Sequence, residues 1–140
     1  MVTTIINVNL EGLRRIQAAI AENRITNELA NQYVQDCKDT IQEEGPGWPE
    51  LSARKIRERG SAHPILIDTG KLIGAFQVSQ IGPTEHQVAN TAEYAALHEY
   101  GGINEQGFTV PERSFMRNTL AKNESKYKVL AEDKAKRIFG

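Results

Sequence analysis

The amino-acid sequence predicts an α+β fold with a long N-terminal helix, a small central antiparallel sheet with a short helix, and a C-terminal amphipathic helix. Three observations carry this prediction. Apolar residues recur every three or four positions in the first third and in the last fifth of the chain, which is the helical period. Between these regions the pattern changes to short β-branched runs and to alternation, which are typical of strands. The length of 140 residues favours a single domain over residues 1–140.

The first helical region covers about residues 10–44. Its apolar stripe consists of Leu10, Leu13, Ile16, Ile20, Ile25, Leu29, Tyr33, Cys37 and Ile41. The longer step from Ile20 to Ile25 contains Asn and Thr, which favour helix caps, so we expect either a kink or two consecutive helices there. Gly45 and Pro46 end the region, because glycine caps a helix and proline cannot continue one.

Residues 45–64 are expected to form a loop. The polar part from Glu50 to Pro64 carries four basic and two acidic residues, and it is either a short exposed helix or a mobile loop. Trp48 lies between two prolines, where a large ring on stiff backbone either covers an edge of the core or anchors an interface. The sequence leaves open whether residues 50–64 form a helix or a loop, and whether Trp48 covers the core or anchors an interface.

Residues 65–110 are expected to form the small sheet with its short helix. The predicted strands are residues 65–67, 76–79, 86–90 and 108–110, and the predicted helix is residues 92–100. Gly82 and Pro83 join the second and third of these strands as a hairpin. Asp68 or Thr69 is expected to cap the turn that leads the chain into the strand at Phe76.

The last segment, residues 113–139, predicts an amphipathic helix. One face holds Met116, Leu120, Tyr127, Ala131, Ala135 and Ile138. Pro111 is expected to open this helix, and Phe115 is expected to anchor it. The opposite face is charged, and it is either a solvated face with pairs four residues apart or a contact for DNA.

Charge is distributed unevenly along the chain. The whole sequence has 17 basic and 18 acidic residues, which excludes a polybasic nucleic-acid binder and an acidic tail. Residues 112–140 carry eight basic and four acidic side chains, a net charge of +4, and the remaining residues 1–111 carry −5. Any electrostatic function is therefore expected to be local.

The sequence contains none of the common signals for metals, cofactors or membranes. Cys37 is the single cysteine and lies on the apolar stripe, so we expect a small core residue rather than a nucleophile or a disulfide. The glycines at residues 45–47 and 68–70 fit turns and not phosphate loops. With no secretion signal and no run of about 18 apolar residues, we expect a protein made and used in soluble form.

The most enzyme-like stretch is Leu97-His98-Glu99-Tyr100. A zinc site of the His-Glu-x-x-His kind needs a second histidine four residues after the first, and none follows here. Local spacing also makes no acid–base pair of His98 with Glu93 or Glu99. We expect no catalytic site, and a small hydrolase that uses His98 with one of these glutamates is the alternative.

Four segments in sequence order carry a resemblance to a known family. They are residues 43–52 (Glu-Glu-Gly-Pro-Gly-Trp-Pro-Glu-Leu-Ser), 65–72 (Ile-Leu-Ile-Asp-Thr-Gly-Lys-Leu), 88–102 (Val-Ala-Asn-Thr-Ala-Glu-Tyr-Ala-Ala-Leu-His-Glu-Tyr-Gly-Gly) and 110–116 (Val-Pro-Glu-Arg-Ser-Phe-Met). Together with the helical first third, they resemble the virion-morphogenesis or tail-completion family, the small neck proteins of tailed bacteriophages and prophages. The resemblance extends over nearly the whole chain.

The resemblance implies a non-enzymatic structural protein of the virion without cofactor or metal. Its subunits are expected to form a homo-oligomeric ring, a hexamer, at the head–tail junction, where the ring joins the tail to the head. The implied partners are the neighbouring connector or stopper protein and a tail-terminator or tail-tube protein. Genomic DNA would pass through the ring without sequence-specific binding, and assembly would take place in the host cytoplasm. A tail-tube terminator is the alternative within the same setting.

The residues that match the family's segments are expected to be structural or interface positions. They are Trp48, Asp68, Thr69, Gly70, Leu72, Tyr94, Ala95, His98, Gly101, Pro111, Arg113 and Phe115. Among them, Tyr94, Ala95 and His98 are expected on one face of the short helix, against the sheet. Glu112 and Ser114 depart from the family pattern, which more often has a small residue and a second proline there.

Overall fold

Four helices and five strands form the described part of the chain, residues 1–7 and 16–139 of a computed structural model. In chain order they are β1 (Val2–Asn7), α1 (Ile16–Glu43), α2 (Ala53–Arg59), β2 (Phe76–Gly82), β3 (Glu85–Asn90), α3 (Ala95–Tyr100), β4 (Gly102–Ile103), β5 (Thr109–Val110) and α4 (Arg117–Phe139). This arrangement confirms the α+β class, with two long helices and a small antiparallel sheet.

The main sheet has three antiparallel strands in the order β1-β3-β2. The central strand β3 is the second arm of the predicted hairpin, and both Val2 of β1 and Phe76 of β2 lie opposite Asn90. Val88 on β3 is fully buried, and the neighbouring His86 is hydrogen-bonded through Nδ1 to Thr26 Oγ1 of α1 at 2.9 Å. The long helix α1 therefore packs on the central strand.

The two long helices pack against each other and close the core. The predicted stripe of α1 is buried from Ile25 through Leu29, Tyr33 and Cys37 to Ile41, as periodicity requires. On α4 the ring of Tyr127 meets that of Tyr33 edge-on, with centroids 6.1 Å apart. Polar groups also join the pair, because Lys126 Nζ and Tyr127 Oη both bind Asp36 Oδ2, at 2.8 and 2.5 Å.

The N-terminal part of the chain differs from the prediction in two ways. The strand β1 was not predicted, because its apolar residues Ile5 and Ile6 are adjacent and do not alternate. Residues 23–27 lie inside the continuous helix α1, so the division into two helices is wrong, and a kink within α1 stays a prediction. The predicted helix start near Leu10 lies outside the described residues.

The apolar run at residues 65–67 is not a strand, and this prediction was wrong. Ile65 and Leu66 are buried in the core. The guanidinium of Arg59 donates hydrogen bonds to the carbonyls of Pro64, Ile65 and Ile67, at 2.6, 2.7 and 3.0 Å. Because a side chain already binds these carbonyls, the segment is held as a buried turn without a strand partner.

Segment 45–64, predicted as a loop, contains the short helix α2, one of the two alternatives left open for residues 50–64. Ser52 caps its start by accepting a hydrogen bond from the Lys55 amide, and Gly60 ends it with a φ of 81°. The predicted helix at residues 92–100 is confirmed as α3, and the strand at 108–110 as β5, which pairs with β4.

The last helix starts at Arg117 and not near residue 113. Pro111 therefore does not open it, and this prediction was wrong. Phe115, two residues before the helix, is fully buried and meets the ring of Phe76 edge-on at 6.1 Å. Among the described residues, no helix has the length and apolar content that crossing a bilayer requires.

Candidate functional site

The carboxylate of Glu99, from a distant part of the chain, binds the backbone amides at the start of α4. This side chain is fully buried. Its Oε2 accepts hydrogen bonds from the amides of Phe115 and Met116 at 2.8 and 3.0 Å, and its Oε1 accepts one from the Arg117 amide at 2.7 Å. A negative charge is favourable at a helix N-terminus, where amides point outward without partners.

Two further groups bind the same carboxylate. Ser114 Oγ donates to Glu99 Oε1 at 2.8 Å, and Arg117 Nε lies 3.2 Å from the same oxygen. The departure from proline at position 114 thus has a structural explanation, because the serine hydroxyl helps to satisfy a buried charge. Ser114 Oγ also accepts a hydrogen bond from the Asn118 amide at 3.1 Å.

Arg113 joins three separate parts of the chain. Its amide donates to the His98 carbonyl at 2.8 Å, its Nε to the Pro49 carbonyl at 2.7 Å, and its Nη2 to the Glu50 carbonyl at 2.9 Å. The residue is only 3% exposed, and burial lowers the pKa of its guanidinium. A buried cation therefore fixes the loop after α1 against α3 and the start of the last segment.

Asn90 completes this arrangement from the end of β3. Its Nδ2 donates to the Leu72 carbonyl at 2.8 Å, and its Oδ1 accepts from the Ala92 amide at 3.0 Å. Asn90, Glu99, Arg113 and the groups that they bind are called the charged corner below. All four segments that carry the family resemblance meet there.

A cleft of about 850 Å³ opens beside the charged corner, between α2, the 65–72 turn, α3 and β5. We call it the α2–α3 cleft. Tyr94 and His98 line it from α3, and Phe108 lines it from the β4–β5 hairpin. Arg54 of α2 lies over the Phe108 ring, 3.6 Å from its centroid, which is the geometry of a cation–π contact.

His98 has an unusual environment on the wall of this cleft. Its Nδ1 is buried without a hydrogen-bond partner among the described residues. Burial, together with the nearby positive charges of Arg113 and Lys55, lowers its pKa to about 4. The imidazole is therefore neutral at pH 7, because protonation would add a third positive charge to a partly desolvated site.

The two glutamates considered as partners of His98 lie in different places. Glu99 binds the start of α4 and does not line the cleft, whereas Glu93 is an exposed residue of the lining. In the described part of the chain, no three side chains of the metal-ligating types are grouped as a metal site would require. Burial raises the pKa of the Cys37 thiol to about 12, so this cysteine remains a protonated core residue at neutral pH.

The other predicted positions divide between the core and the turns. Trp48 packs against the core edge and directly over Gly45, where a Cβ would overlap the indole. Leu72 and Phe115 are buried. Gly101 has a φ of 72°, and a Cβ there would lie 2.9 Å from the Glu112 amide nitrogen, so a larger residue does not fit.

Two predictions about side-chain placement were wrong. Ala95 is buried on the same face of α3 as Glu99. Tyr94 precedes the helix and faces the cleft, as His98 does. Tyr94, Ala95 and His98 therefore do not share one face. Neither Asp68 nor Thr69 caps the turn by a side-chain hydrogen bond within the described residues, and the backbone bond from the Gly74 amide to the Gly70 carbonyl closes the following residues 70–74, with Gly70 at a φ of 83°. Asp68 instead lies 3.9 Å from Lys55 Nζ.

Sequence reasoning did not identify Glu99, Asn90 and Arg59 as residues that organise the site. Glu99 was considered only as a catalytic partner of His98. One usable signal was the absence of any acidic group in the first turn of α4, which predicts that another part of the chain supplies the anion. Comparisons of the chain with known protein families, with curated proteins and with solved structures gave no match.

Proposed function

We propose that this protein is a structural subunit of the head–tail neck of a tailed bacteriophage or prophage, a tail-completion protein that forms a ring and acts without catalysis. The observation that carries the proposal is the charged corner. Four short segments that resemble the family in sequence order are joined to one another by Arg113, Glu99 and Asn90. Because these segments hold one another in place, we expect proteins of the same family to contain all four. This supports treating the four segments as one family signature.

The exposed apolar residues fit a subunit of a closed ring. A ring needs two different complementary patches on each subunit, because its interface is heterologous. Ile5 and Ile81 are exposed on the two outer strands of the sheet, Ile103 is 71% exposed on the β4–β5 hairpin, and Val129 is exposed on α4. These residues lie on separate elements, as a subunit with different contacts on its two sides requires.

The distribution of charge fits a channel for DNA. Residues 1–111 carry a net charge of −5, and residues 112–140 carry +4. Each contact between a cation and a phosphate adds affinity, which would slow the passage of DNA. A subunit that turns part of its acidic body toward the channel would let the polyanion slide.

Deletion of the gene from its phage or prophage tests this function. We expect DNA-filled heads and separate tails of normal length, and complementation by the intact gene should restore joined particles. Tails of uncontrolled length would instead identify a tail-tube terminator. Normally joined virions from the deletion would show that the proposed function is wrong.

An interface variant tests the ring separately. Ile103→Asp places a charge on an exposed hairpin residue that the fold does not bury, so the monomer should keep its thermal midpoint. We expect this variant to fail both in complementation and in ring formation with the connector or tail partner. Lys122→Asp, at an exposed position of α4, is the control and should complement.

A further inference from the structure

Two guanidinium groups that line the α2–α3 cleft have no acidic partner. Arg113, 3% exposed, donates its side-chain hydrogen bonds to the carbonyls of Pro49 and Glu50, and Arg59 donates to three carbonyls of the 64–67 turn. Within the described residues, no carboxylate oxygen lies within the 4.0 Å of an ion pair from either group. Desolvation penalises a buried charge without a counter-ion, so such groups are normally paired.

Two buried nitrogen atoms of the same cleft also lack hydrogen-bond partners. They are Arg59 Nε, which can only donate, and His98 Nδ1. Buried polar atoms without a partner are rare in folded proteins, and each needs an explanation. A ligand that carries negative charge would balance the unpaired guanidinium groups, whereas the two nitrogen atoms have almost no accessible surface and are not themselves open to the cleft.

The acidic residues of the lining do not supply that charge. Glu58 already pairs with Arg54 at 2.8 Å, and Asp68 lies 3.9 Å from Lys55. Glu50 and Glu93 line the cleft as exposed residues. Among the described residues of the lining, Arg113, Arg59 and Lys71 have no ion-pair partner, against the two exposed carboxylates of Glu50 and Glu93, which leaves an excess of one positive charge.

We propose that the α2–α3 cleft binds an extended acidic segment of a different protein, whose carboxylates bind beside Arg113, Lys71 and His98. Its volume of about 850 Å³ is typical of a ligand cleft. Leu51, Leu97 and Phe108 provide apolar contacts between the charged groups. A segment that alternates acidic and apolar side chains is complementary to both kinds of surface.

The shape of the cleft favours a peptide over DNA. The phosphates of a duplex lie on a convex rod and are contacted by exposed side chains, whereas Arg113 is 3% exposed at the wall of a concave site. A carboxylate on a thin extended backbone can enter such a site.

The described part of the chain does not itself present a matching segment. In the described ranges, acidic residues outside the helices stand singly, without a second one adjacent or two positions away within the same non-helical segment. Three of them, Glu50, Asp68 and Glu93, line the cleft themselves. A second copy of this chain is therefore a poorer occupant than a different protein with an acidic segment.

Fluorescence anisotropy with the purified full chain tests the proposal. The probe is the fluorescein-labelled peptide Asp-Leu-Glu-Leu-Asp-Phe, and its control is the amide counterpart Asn-Leu-Gln-Leu-Asn-Phe. We expect the acidic peptide to bind about tenfold more tightly than the amide peptide, with an affinity that falls as salt is raised. Equal binding of the two peptides, or no binding of the acidic one at about 1 mM, would overturn the proposal.

Two matched variants locate the binding. Lys71→Glu and Lys122→Glu make the same change of charge at exposed lysines, but only Lys71 lines the cleft. We expect Lys71→Glu to weaken acidic-peptide binding about tenfold and Lys122→Glu to change it less than about twofold. Equal effects of the two variants, with both proteins folded by thermal melt, would contradict binding in the cleft.

The His98 resonances give a readout inside the site that requires no variant. A bound carboxylate beside the imidazole should raise its pKa from about 4, whereas the amide peptide should leave it unchanged. Sedimentation of the protein alone identifies the source of the segment. Self-association that the acidic peptide reverses would show that a second copy occupies the cleft, contrary to the proposal.

The result of the peptide-binding experiments does not depend on whether the protein acts in the phage neck. Peptide binding is measured on the isolated chain, whereas the neck function is measured by particle assembly. Loss of peptide binding with normal complementation, or the reverse, separates the two proposals.

Discussion

The α1–α4 helix pair and the charged corner are stabilised by different physical means. The helix pair buries a continuous apolar stripe, and carboxylates of α1 are bound at the margin of the interface, Asp36 by Lys126 and Tyr127 and Glu28 by Lys134. The charged corner buries Glu99 and Arg113 almost completely and uses them to bind backbone groups. In the helix pair the stabilisation is distributed over many buried apolar residues. In the charged corner a single side chain binds several segments of the chain.

The largest effect is expected from Glu99→Leu in the charged corner. This variant leaves the amides of Phe115, Met116 and Arg117 buried without an acceptor, at about 1–3 kcal/mol for each group. We expect a loss of about 4 kcal/mol in the free energy of unfolding, measured by urea denaturation. Glu112→Leu is the matched control, since Glu112 is exposed and forms a surface pair with Arg117, and it should cost below about 1 kcal/mol.

Leu120→Asp tests the apolar interface of the helix pair. Leu120 is partly buried and packs against the core, so a carboxylate there should cost about 3 kcal/mol. Val129→Asp makes the same type of change at an exposed position of α4 and should cost below about 1 kcal/mol. Similar thermal midpoints for the two variants would show that the buried face of α4 is assigned incorrectly.

Tyr33→Phe measures how strongly the two regions are connected. The Tyr33 hydroxyl donates to the Met116 carbonyl at 2.9 Å, next to the amides that Glu99 binds, and lies 3.1 Å from Thr4 Oγ1. Its removal leaves a buried carbonyl with one partner fewer, and we expect a loss of about 1.5 kcal/mol by urea denaturation. Tyr100→Phe, at an exposed residue, is the control, and an equal loss there would contradict the connection.

The pH dependence of the free energy of unfolding tests the environment of His98, which lies next to the charged corner. Its pKa is about 4 in the folded protein and about 6.5 when unfolded, so between these values the unfolded chain binds the extra proton. Stability should therefore be full above pH 6.5 and fall as the pH decreases toward 4, with a slope of up to about 1 kcal/mol per pH unit. His98→Gln should flatten the urea-midpoint profile in this window, and an unchanged slope in this variant would contradict the lowered pKa of His98.

The helix pair could be predicted from the sequence and the charged corner could not, for a physical reason. Periodicity reports which face of a helix is buried, and the positions from Ile25 to Ile41 follow it. The cap of α4 comes from Glu99, 16 residues before Phe115, and no local pattern reports a bond over that separation. Without that information, Pro111 was the natural choice for the helix start.

The error at residues 65–67 has a similar origin. A β-branched apolar run is typical of a buried strand, but burial and strand pairing are separate properties. Arg59 binds the carbonyls on one side of this run, and its long side chain reaches them from α2. The hairpin of β2 and β3 was predicted correctly, because its turn and its alternation are local.

The order of the strands determines when the protein can fold during synthesis. β1 is synthesised well before its partner β3, which begins at Glu85, and the stripe of α1 is completed only by α4, which begins at Arg117. A nascent chain therefore carries apolar surface on α1 through most of translation, and pairings between distant residues form slowly. The fold can be completed only after α4 has been synthesised, and until then the apolar face of α1 lacks one of its partners.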